Sequence, residues 1–229
     1  MKLSIIIPTY NEAANIQKLL RYLKNSILNL NDCEIIVVDG GSSDDTIQKA
    51  QNINGITVLS SKKGRGEQMN HGAKSANAET LYFLHADSFP PKHFDKLILE
   101  QVNKKNIAGC FRMEFDRKHI WLKLAGWFTQ FNLKFFRGGD QSLFIQKKLF
   151  NTLGKFPTEY AIFEDFEIIR KLYANNEFTV IQKRIISSSR RYTDNGIAKL
   201  QYHYWMMYLK KWFGANNEIL LTYYKKNVK

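Results

Sequence analysis

The sequence has only two cysteines and four prolines in 229 residues. Cys33 and Cys110 lie far apart with no CxxC pair, so a disulfide framework and a thiolate zinc site are excluded, and a reducing cytoplasm is expected. Long apolar runs are also missing. The first run, residues 3–7, ends at Pro8 and is shorter than the core of a signal peptide. No stretch reaches the length of a membrane span. We therefore expect a protein that is neither secreted nor integral to a membrane.

Two nucleotide-binding signatures are absent as well. No GxGxxG follows the first apolar run and GxxxxGK[ST] occurs nowhere, so neither a dinucleotide fold nor a P-loop enzyme is indicated. Acidic residues are scarce: 21 carboxylates face 34 Lys and Arg, a formal charge of +13. From Lys183 onward ten basic residues face two acidic ones. Such an excess suits nucleic acid, anionic lipid or a phosphorylated substrate, and charge alone does not choose among them.

Four short apolar runs predict buried strands, at residues 3–7, 34–38, 56–59 and 81–84. The last is expected to end near Asp87, because Pro90 and Pro91 cannot continue a ladder. Helical patterns separate the runs, and the first has an apolar stripe formed by Ile16, Leu19, Leu20, Leu23, Ile27 and Leu30. This alternation predicts right-handed βαβ units. The expected fold class is α/β, a Rossmann-like, mostly parallel sheet flanked by helices.

Four charged residues fall just past the predicted strand ends: Glu12, Asp39, Arg65 and Asp87. Taken singly, an Asp after a strand is typical of a turn or helix cap, and an Arg between glycines is typical of a solvated loop. Parallel strands, however, end at one edge of the sheet, and ligands of open α/β sheets bind there. The shared edge therefore favours a binding site.

The second half has a looser pattern. A strand with one solvated face is predicted at residues 108–116, an aromatic helical segment at 120–136, an apolar strand at 143–145 and a short helix closing at Gly154. A further helix should begin near residue 163 with Phe166, Ile169 and Tyr173 inward. A tail helix at 201–213 should pack an aromatic stripe on the domain and cover the acceptor cleft, with its lysines outward. The alternative is that it rests on a bilayer surface.

An ordered set of motifs resembles the family 2 glycosyltransferases of the GT-A fold. The resemblance runs from Ile5 to Arg191 and includes residues 4–12, 36–46, 63–70, 84–87, 138–141 and 164–165. His85-Ala86-Asp87, the Gly-Gly-Asp-Gln motif and the late Ser-Arg-Arg-Tyr are most similar to the small soluble branch of arsenosugar-biosynthesis-type enzymes.

The resemblance implies an inverting transfer of a sugar from a nucleotide-diphosphate sugar, with UDP-sugars favoured, to an acceptor hydroxyl. No nucleic acid partner is implied. The implied nucleotide-sugar site comprises Pro8, Thr9, Tyr10, Glu12, Asp39, Arg65, Ala86 and Asp87, with Glu12 and Asp39 contacting the nucleoside. The implied acceptor and donor-sugar side comprises Gly139, Asp140, Gln141, Glu164 and Arg191.

The general base is implied to be Asp165. Glu164 would cap the helix or orient its loop, because successive helical residues point about 100° apart and cannot both face the donor. Charge–dipole stabilisation at the helix start is the structural alternative for both carboxylates.

A metal is implied at Asp87, in the place of the family's Asp-x-Asp motif. His85 stands at the first position of that motif, so metal binding carries over to Asp87 alone. One carboxylate together with a nucleotide diphosphate suits Mg²⁺ or Mn²⁺.

The expected organisation is a GT-A catalytic domain at 1–195, with a nucleotide-binding half at 1–90 and an acceptor half at 91–195. A basic, aromatic helical tail at 196–229 should pack on it. Three alternatives stay open: a lipid-phosphate glycosyltransferase, peripheral at the inner membrane surface; a sugar nucleotidyltransferase, which would need a Gly-rich basic signature after the first strand; and a nucleic-acid-binding module, whose ligand the edge carboxylates would repel.

Overall fold

The computed structural model describes residues 1–138, 141–158 and 164–228. Within these ranges the strands are β1 Leu3–Thr9, β2 Cys33–Asp39, β3 Ile56–Ser60, β4 Thr80–Phe83, β5 Ser88–Phe89, β6 Ala108–Phe115, β7 Leu143–Gln146 and β8 Thr179–Ser187. The helices are α1 Ile16–Ser26, α2 Thr46–Gln51, α3 Arg65–Ser75, α4 Phe94–Asn103, α5 Ile120–Phe128, α6 Lys147–Thr152, α7 Glu164–Ala174, α8 Arg190–Asn195, α9 Ile197–Trp212 and α10 Asn217–Asn227. Short 3₁₀ turns occupy Leu30–Asp32 and Lys134–Phe136.

The strands form one sheet in the order β3-β2-β1-β4-β7-β6-β8-β5. β1 is parallel to both β2 and β4, and β2 is parallel to β3. β7 is antiparallel to β4 and β6, whereas β6 and β8 are parallel. The predicted α/β class with a mostly parallel sheet is therefore confirmed, although β4–β7, β6–β7 and β5–β8 are antiparallel pairs that were not predicted.

Both faces of the sheet are covered, which explains why its first strands are apolar throughout. Ile5 and Ile7 of β1 belong to the core on the side of α1. Ile6, between them, belongs to the core on the opposite side, with Met69 and Ala73 of α3. Alternate residues of a strand point to opposite faces, so one strand serves both cores.

The predicted C-terminal ends of the first helix and of the fourth strand are wrong. α1 ends at Ser26, and Leu30 is 48% exposed. The carboxylate of Asp95 in α4 accepts the backbone N–H groups of Leu28 and Asn29 at 3.0–3.1 Å and turns the chain away from the helix.

The fourth strand likewise stops early. β4 ends at Phe83, four residues before Asp87, because its pairing with β7 ends at the Phe83–Leu143 pair. The next residue, Leu84, still donates its N–H to the carbonyl of Ile6 at 3.0 Å. The chain then turns, and Ser88 donates to the carbonyl of His85 at 3.1 Å. Asp87 therefore lies on a turn beyond the strand.

The inward faces of two helices also differ from the prediction. In α7 the buried apolar residues are Ile168, Ile169 and Leu172, whereas Phe166 and Tyr173 are half-buried. In α9 the buried residues are Leu200 and Met207, and Trp212 at the helix end is 82% exposed. The predicted buried aromatic stripe is thus largely an exposed one. No helix in the described part of the chain has both the length and the hydropathy that crossing a bilayer requires.

Gly72 allows α3 to lie close on the sheet, since a Cβ there would come within 2.5 Å of Ile6 Cγ2 and 3.0 Å of Val38 Cγ2. We predict that Gly72→Ala lowers the free energy of unfolding by about 1–2 kcal/mol, because overpacking outweighs the gain in helix propensity. Urea denaturation measures the change. Ser75→Ala, at an exposed position of the same helix, is the control and should shift it by less than about 0.5 kcal/mol. Equal stability of the two variants would contradict the close packing.

Candidate active site

The ends of β1 and β2 are fixed to α3 by one side chain. Gln68 is buried, and its Nε2 donates to the carbonyls of Thr9 at 2.6 Å and Val38 at 2.8 Å. Thr9 is the last residue of β1 and Val38 the last but one of β2. The amide therefore holds the sheet edge and the first turns of α3 in a fixed relation, and the loops of the site begin from this edge.

Asp39 organises the loop after β2. Its Oδ2 accepts the backbone N–H groups of Gly41 and Ser42, both at 2.8 Å, and its Oδ1 accepts the Ser42 hydroxyl at 2.5 Å. The side chain is buried, with the hydroxyl of Thr9 at 3.4 Å. Its carboxylate is therefore committed to the turn, and its contact with a nucleoside stays a prediction.

A cavity of about 560 Å³ opens at this edge. It is bordered by seven of the eight residues predicted to bind the nucleotide sugar: Pro8, Thr9, Tyr10, Glu12, Arg65, Ala86 and Asp87. Asp39 does not border it. We call this space the edge cavity.

Positive charge predominates around the edge cavity. Five basic side chains, Lys63, Arg65, Arg190, Arg191 and Lys225, border it with two carboxylates, Glu12 and Asp87. A polyanion such as a diphosphate would be attracted to such a space.

Four of the bordering side chains are already paired with one another. The carboxylate of Glu12 lies 3.2 Å from Arg190 and accepts a hydrogen bond from Asn15 at 2.6 Å. The ammonium of Lys63 lies 3.7 Å from the centre of the Tyr10 ring, a cation–π contact. These contacts connect the loop after β1 with α8 and with the loop before α3.

A second cavity, of about 420 Å³, adjoins the first. It is bordered by Gln141, Glu164 and Asp165, which were predicted for the acceptor side and the base. Four residues border both cavities: Arg65, Arg191, Tyr192 and Tyr204. We call it the inner cavity, and the two spaces meet at these four side chains.

The two neighbouring carboxylates differ in their surroundings. Glu164 is only 2% exposed and its Oε1 lies 3.0 Å from Arg65 Nη1. Asp165 is half-buried, and both residues border the inner cavity. Successive helical residues point about 100° apart, yet both side chains border this cavity. What distinguishes them is that Glu164 forms the ion pair with Arg65.

Lys211 of α9 lies beside α7. Its ammonium is 3.8 Å from the centre of the Phe166 ring. Burial lowers the pKa of Lys211, and the negative charges of Glu167 and Asp165 oppose that decrease. Asp165 therefore has a cation nearby that sequence reasoning assigned to the outside of the tail.

Gln141 is part of the wall of the inner cavity. Its Oε1 accepts from Arg137 Nη1 at 2.6 Å, and its Nε2 donates to the carbonyl of Phe136 at 2.5 Å. The thiol of Cys110 is buried in the same cluster, and burial raises its pKa to about 11. This Cys is therefore not a thiolate nucleophile. Gly139 and Asp140, predicted for this side, lie outside the described residues.

The tail contributes side chains to both cavities. Its helix was expected to cover the acceptor cleft, but a contribution of α10 was not predicted. Tyr204 of α9 and Leu221 and Lys225 of α10 border the edge cavity, and Met207, Tyr208 and Tyr224 border the inner one. Lys63, Gln68 and Arg190 were also not singled out.

The donor atoms at the edge cavity suit a metal shared with a substrate. Within the described ranges, no three His, Cys, Asp or Glu side chains gather as a resident ion would require. Glu12 is engaged by Arg190 and Asn15. Mg²⁺ is commonly held by one or two carboxylates with substrate phosphates and waters, so Asp87 fits such an ion if a diphosphate supplies further oxygens.

Comparison with known proteins decides the family. The model of "Glycosyl transferase family 2" matches residues 4–166, more than half of the chain. The chain belongs to glycosyltransferase family 2. The matched segment of this family 2 chain includes both the edge-cavity loops and the two carboxylates at the start of α7.

Similar proteins agree with that assignment. The family 2 chain is 37% identical over 114 residues to "Dolichol-phosphate mannosyltransferase" from Pyrococcus furiosus, a match that covers 47% of this chain and 32% of the relative. Two solved structures share the GT-A fold. Staphylococcus aureus TarS 1–349 in complex with UDP gives a TM-score of 0.69 at 22% identity, covering 82% of this chain and 60% of that one. The mannosyltransferase PcManGT from Pyrobaculum calidifontis, in complex with GDP-Man and Mn²⁺, gives 0.63 at 18% identity, covering 97% and 69%. The chain thus spans about a third of the Pyrococcus relative's length.

The Arg65–Glu164 ion pair should contribute measurably to the free energy of unfolding. We predict that Arg65→Met lowers the free energy of unfolding by about 1–3 kcal/mol, because a buried carboxylate loses its cation. Adding Glu164→Gln should recover part of this loss, since the variant pair leaves no charge to compensate. Urea unfolding of the parent, both single variants and the double variant gives the coupling energy. Additive effects would show that the pair is not coupled.

Proposed function

We propose that the protein is an inverting glycosyltransferase that moves a sugar from a nucleotide-diphosphate sugar to an acceptor hydroxyl. The observation that carries the proposal is the junction of the two cavities. One cavity is basic and bordered by Asp87, the other holds the carboxylates of α7, and Arg65 and Arg191 border both. A diphosphate in the first cavity would put the departing sugar next to the second.

The donor would lie in the edge cavity. Its diphosphate would be attracted by the five basic side chains there, and the exposed ring of Tyr10 offers a surface for the nucleoside. Glu12 and Asp39 are proposed for the nucleoside side, Glu12 directly and Asp39 through the loop that it holds. UDP-sugars remain the favoured donors in this proposal. TarS is solved with UDP and with UDP-GlcNAc, whereas PcManGT is solved with GDP-Man, so the donor panel below includes both nucleotides.

A divalent ion at Asp87, Mg²⁺ or Mn²⁺, would neutralise charge on the leaving diphosphate. Arg65 would add to that neutralisation from the protein, because it borders both cavities where the charge develops. Its pairing with Glu164 holds the guanidinium in place before the donor arrives. Pre-oriented charge of this kind costs no reorganisation during the reaction.

Asp165 would take the proton from the acceptor hydroxyl. Glu164 is the weaker candidate because the guanidinium of Arg65, 3.0 Å away, occupies one of its oxygens. The acceptor would enter the inner cavity, whose wall includes Gln141 and side chains of α9. A single base with no covalent nucleophile inverts the anomeric carbon.

One alternative class of acceptor, a lipid phosphate, is supported by a specific observation. The identity to a dolichol-phosphate mannosyltransferase over 114 residues supports a lipid-phosphate acceptor at a membrane surface. A sugar nucleotidyltransferase has no comparable support, because the family match favours glycosyl transfer. Three further proposals rest on the sequence. They are a cytoplasmic location, membership of the arsenosugar-type branch, and a domain with halves at 1–90 and 91–195 followed by a tail at 196–229.

Donor binding tests the function most simply. In a thermal-shift panel of UDP-, GDP- and CDP-sugars with Mn²⁺, the cognate donor at a hundred times its dissociation constant should add about 2.7 kcal/mol of stability. Asp87→Ala should abolish the metal-dependent part of this shift. Glu100→Ala, on the exposed face of α4, removes a carboxylate elsewhere and should leave the shift unchanged. A parent that responds to no sugar nucleotide, or an Asp87→Ala variant that responds like the parent, would contradict the proposed site.

The base assignment gives a separate expectation. Losing a positioned base typically costs about 10²- to 10⁴-fold in rate, so Asp165→Asn should reduce transfer by that factor with nearly unchanged donor affinity. Glu164→Gln should reduce it much less. Turnover and donor hydrolysis of both variants measure the difference, and NMR of the product gives the anomeric configuration. If Asp165→Asn transfers like the parent while Glu164→Gln fails, the roles are reversed.

A further inference from the structure

α5 exposes an apolar face to solvent. Ile120, Leu124 and Trp127 recur at four- and three-residue spacing along it, and Phe131 continues the row just beyond its end. All four are exposed, Ile120 by 81%. Phe135, in the following 3₁₀ turn, is 89% exposed. Surface helices normally turn such a row toward the core, so this row is unpartnered in the described part of the chain.

α9 exposes a second row. Tyr202, Trp205, Leu209 and Trp212 recur at the same spacing, and all are exposed. Phe213 follows at the helix end with 83% of its surface exposed. The buried side of this helix carries smaller residues, Leu200 and Met207. The largest apolar side chains of α9 thus lie on its outer face.

The two rows adjoin each other. The rings of Trp121 in α5 and Trp205 in α9 meet edge to face with centroids 6.2 Å apart. Phe135 and Tyr208, one beside each row, border the same inner cavity. We call the two rows together the apolar face, formed by Ile120, Leu124, Trp127, Phe131, Phe135, Tyr202, Trp205, Leu209, Trp212 and Phe213.

The charge of the two segments is one-sided. Residues 117–138, which include α5, contain five Lys and Arg and no Asp or Glu. Residues 195–217, which include α9, contain three Lys and likewise no carboxylate. The occupant that fits such a surface has an apolar interior and a negative exterior. A second copy of this chain does not fit, because the exposed basic residues of these segments would face their own counterparts without counter-charges. They are Arg117, Lys118, Lys123, Lys134 and Lys199.

We propose that the apolar face docks on an anionic lipid bilayer, with Trp127, Trp212 and Phe213 at the level of the headgroups and the flanking lysines toward their phosphates. Trp and Tyr favour this interfacial depth. A helix with an aromatic row and flanking basic side chains lies in the plane of such an interface, where apolar burial and charge attraction add.

Docking in this orientation brings the inner cavity to the bilayer surface, since Phe135 of the apolar face and Tyr208 next to it both border the cavity. An acceptor hydroxyl carried on a lipid headgroup could then reach Asp165. This consequence rests on the proposed function, whereas the docking itself does not.

Vesicle flotation tests the docking. The protein should float with equimolar phosphatidylcholine and phosphatidylglycerol vesicles, bind phosphatidylcholine vesicles much more weakly, and lose binding as salt is raised. Trp127→Ser combined with Trp212→Ser should weaken partitioning roughly tenfold or more. Leu28→Ser combined with Leu30→Ser removes exposed apolar side chains elsewhere and should bind like the parent.

Charge-matched variants distinguish vesicle binding through the apolar face from binding that depends only on the net charge of the protein. Lys118→Glu combined with Lys123→Glu should weaken partitioning by about tenfold or more. Lys74→Glu combined with Lys104→Glu makes the same change in net charge at exposed positions in α3 and just after α4, and should have a much smaller effect.

Three results would overturn the docking: a parent that does not float, variants of the face that float like the parent, or a stable dimer that the tryptophan variants convert to monomer in sedimentation. Thermal shift with sugar nucleotides in the absence of vesicles keeps the two proposals distinguishable. Loss of flotation with intact donor response would refute docking alone. Flotation without any donor response would refute the proposed enzyme function alone.

Discussion

The hydrogen bonds from Gln68 to the carbonyls of Thr9 and Val38 are the constraint from which the site is built. A parallel sheet delivers its strand ends to one edge, but it does not fix what lies above them. By bonding both strand ends from one turn of α3, Gln68 positions Arg65, three residues earlier on the same helix, over that edge. The close approach that Gly72 permits brings the whole helix down onto Ile6 and Val38.

Arg65 then connects the two halves of the molecule. It borders the edge cavity, and it pairs with Glu164 at the start of α7, 99 residues later. The buried Glu164 carboxylate needs this partner, and the pair leaves Asp165 as the adjacent carboxylate at the inner cavity. A single guanidinium therefore serves the stability of the fold and the electrostatics of the proposed reaction.

Much of the fold could be predicted because short apolar runs with polar ends specify buried strands, and topology places their ends together. Glu12, Arg65 and Asp87 were found this way and border one cavity. The end of α1 could not be predicted, because Asp95, far along the chain, captures the backbone there. The outer aromatic row of α9 was assigned to the core because periodicity defines a stripe without saying what it faces. Lys225 was missed because no pattern in the sequence placed α10 at the site.

A crystal structure with a non-hydrolysable UDP-sugar and Mn²⁺ tests the central claim, that donor and base meet where the two cavities join. We predict that the diphosphate lies between Arg65 and Asp87 and that the anomeric carbon is directed toward Asp165 across the Arg65–Arg191 junction. A nucleotide bound outside the edge cavity, or a sugar directed away from α7, would contradict it.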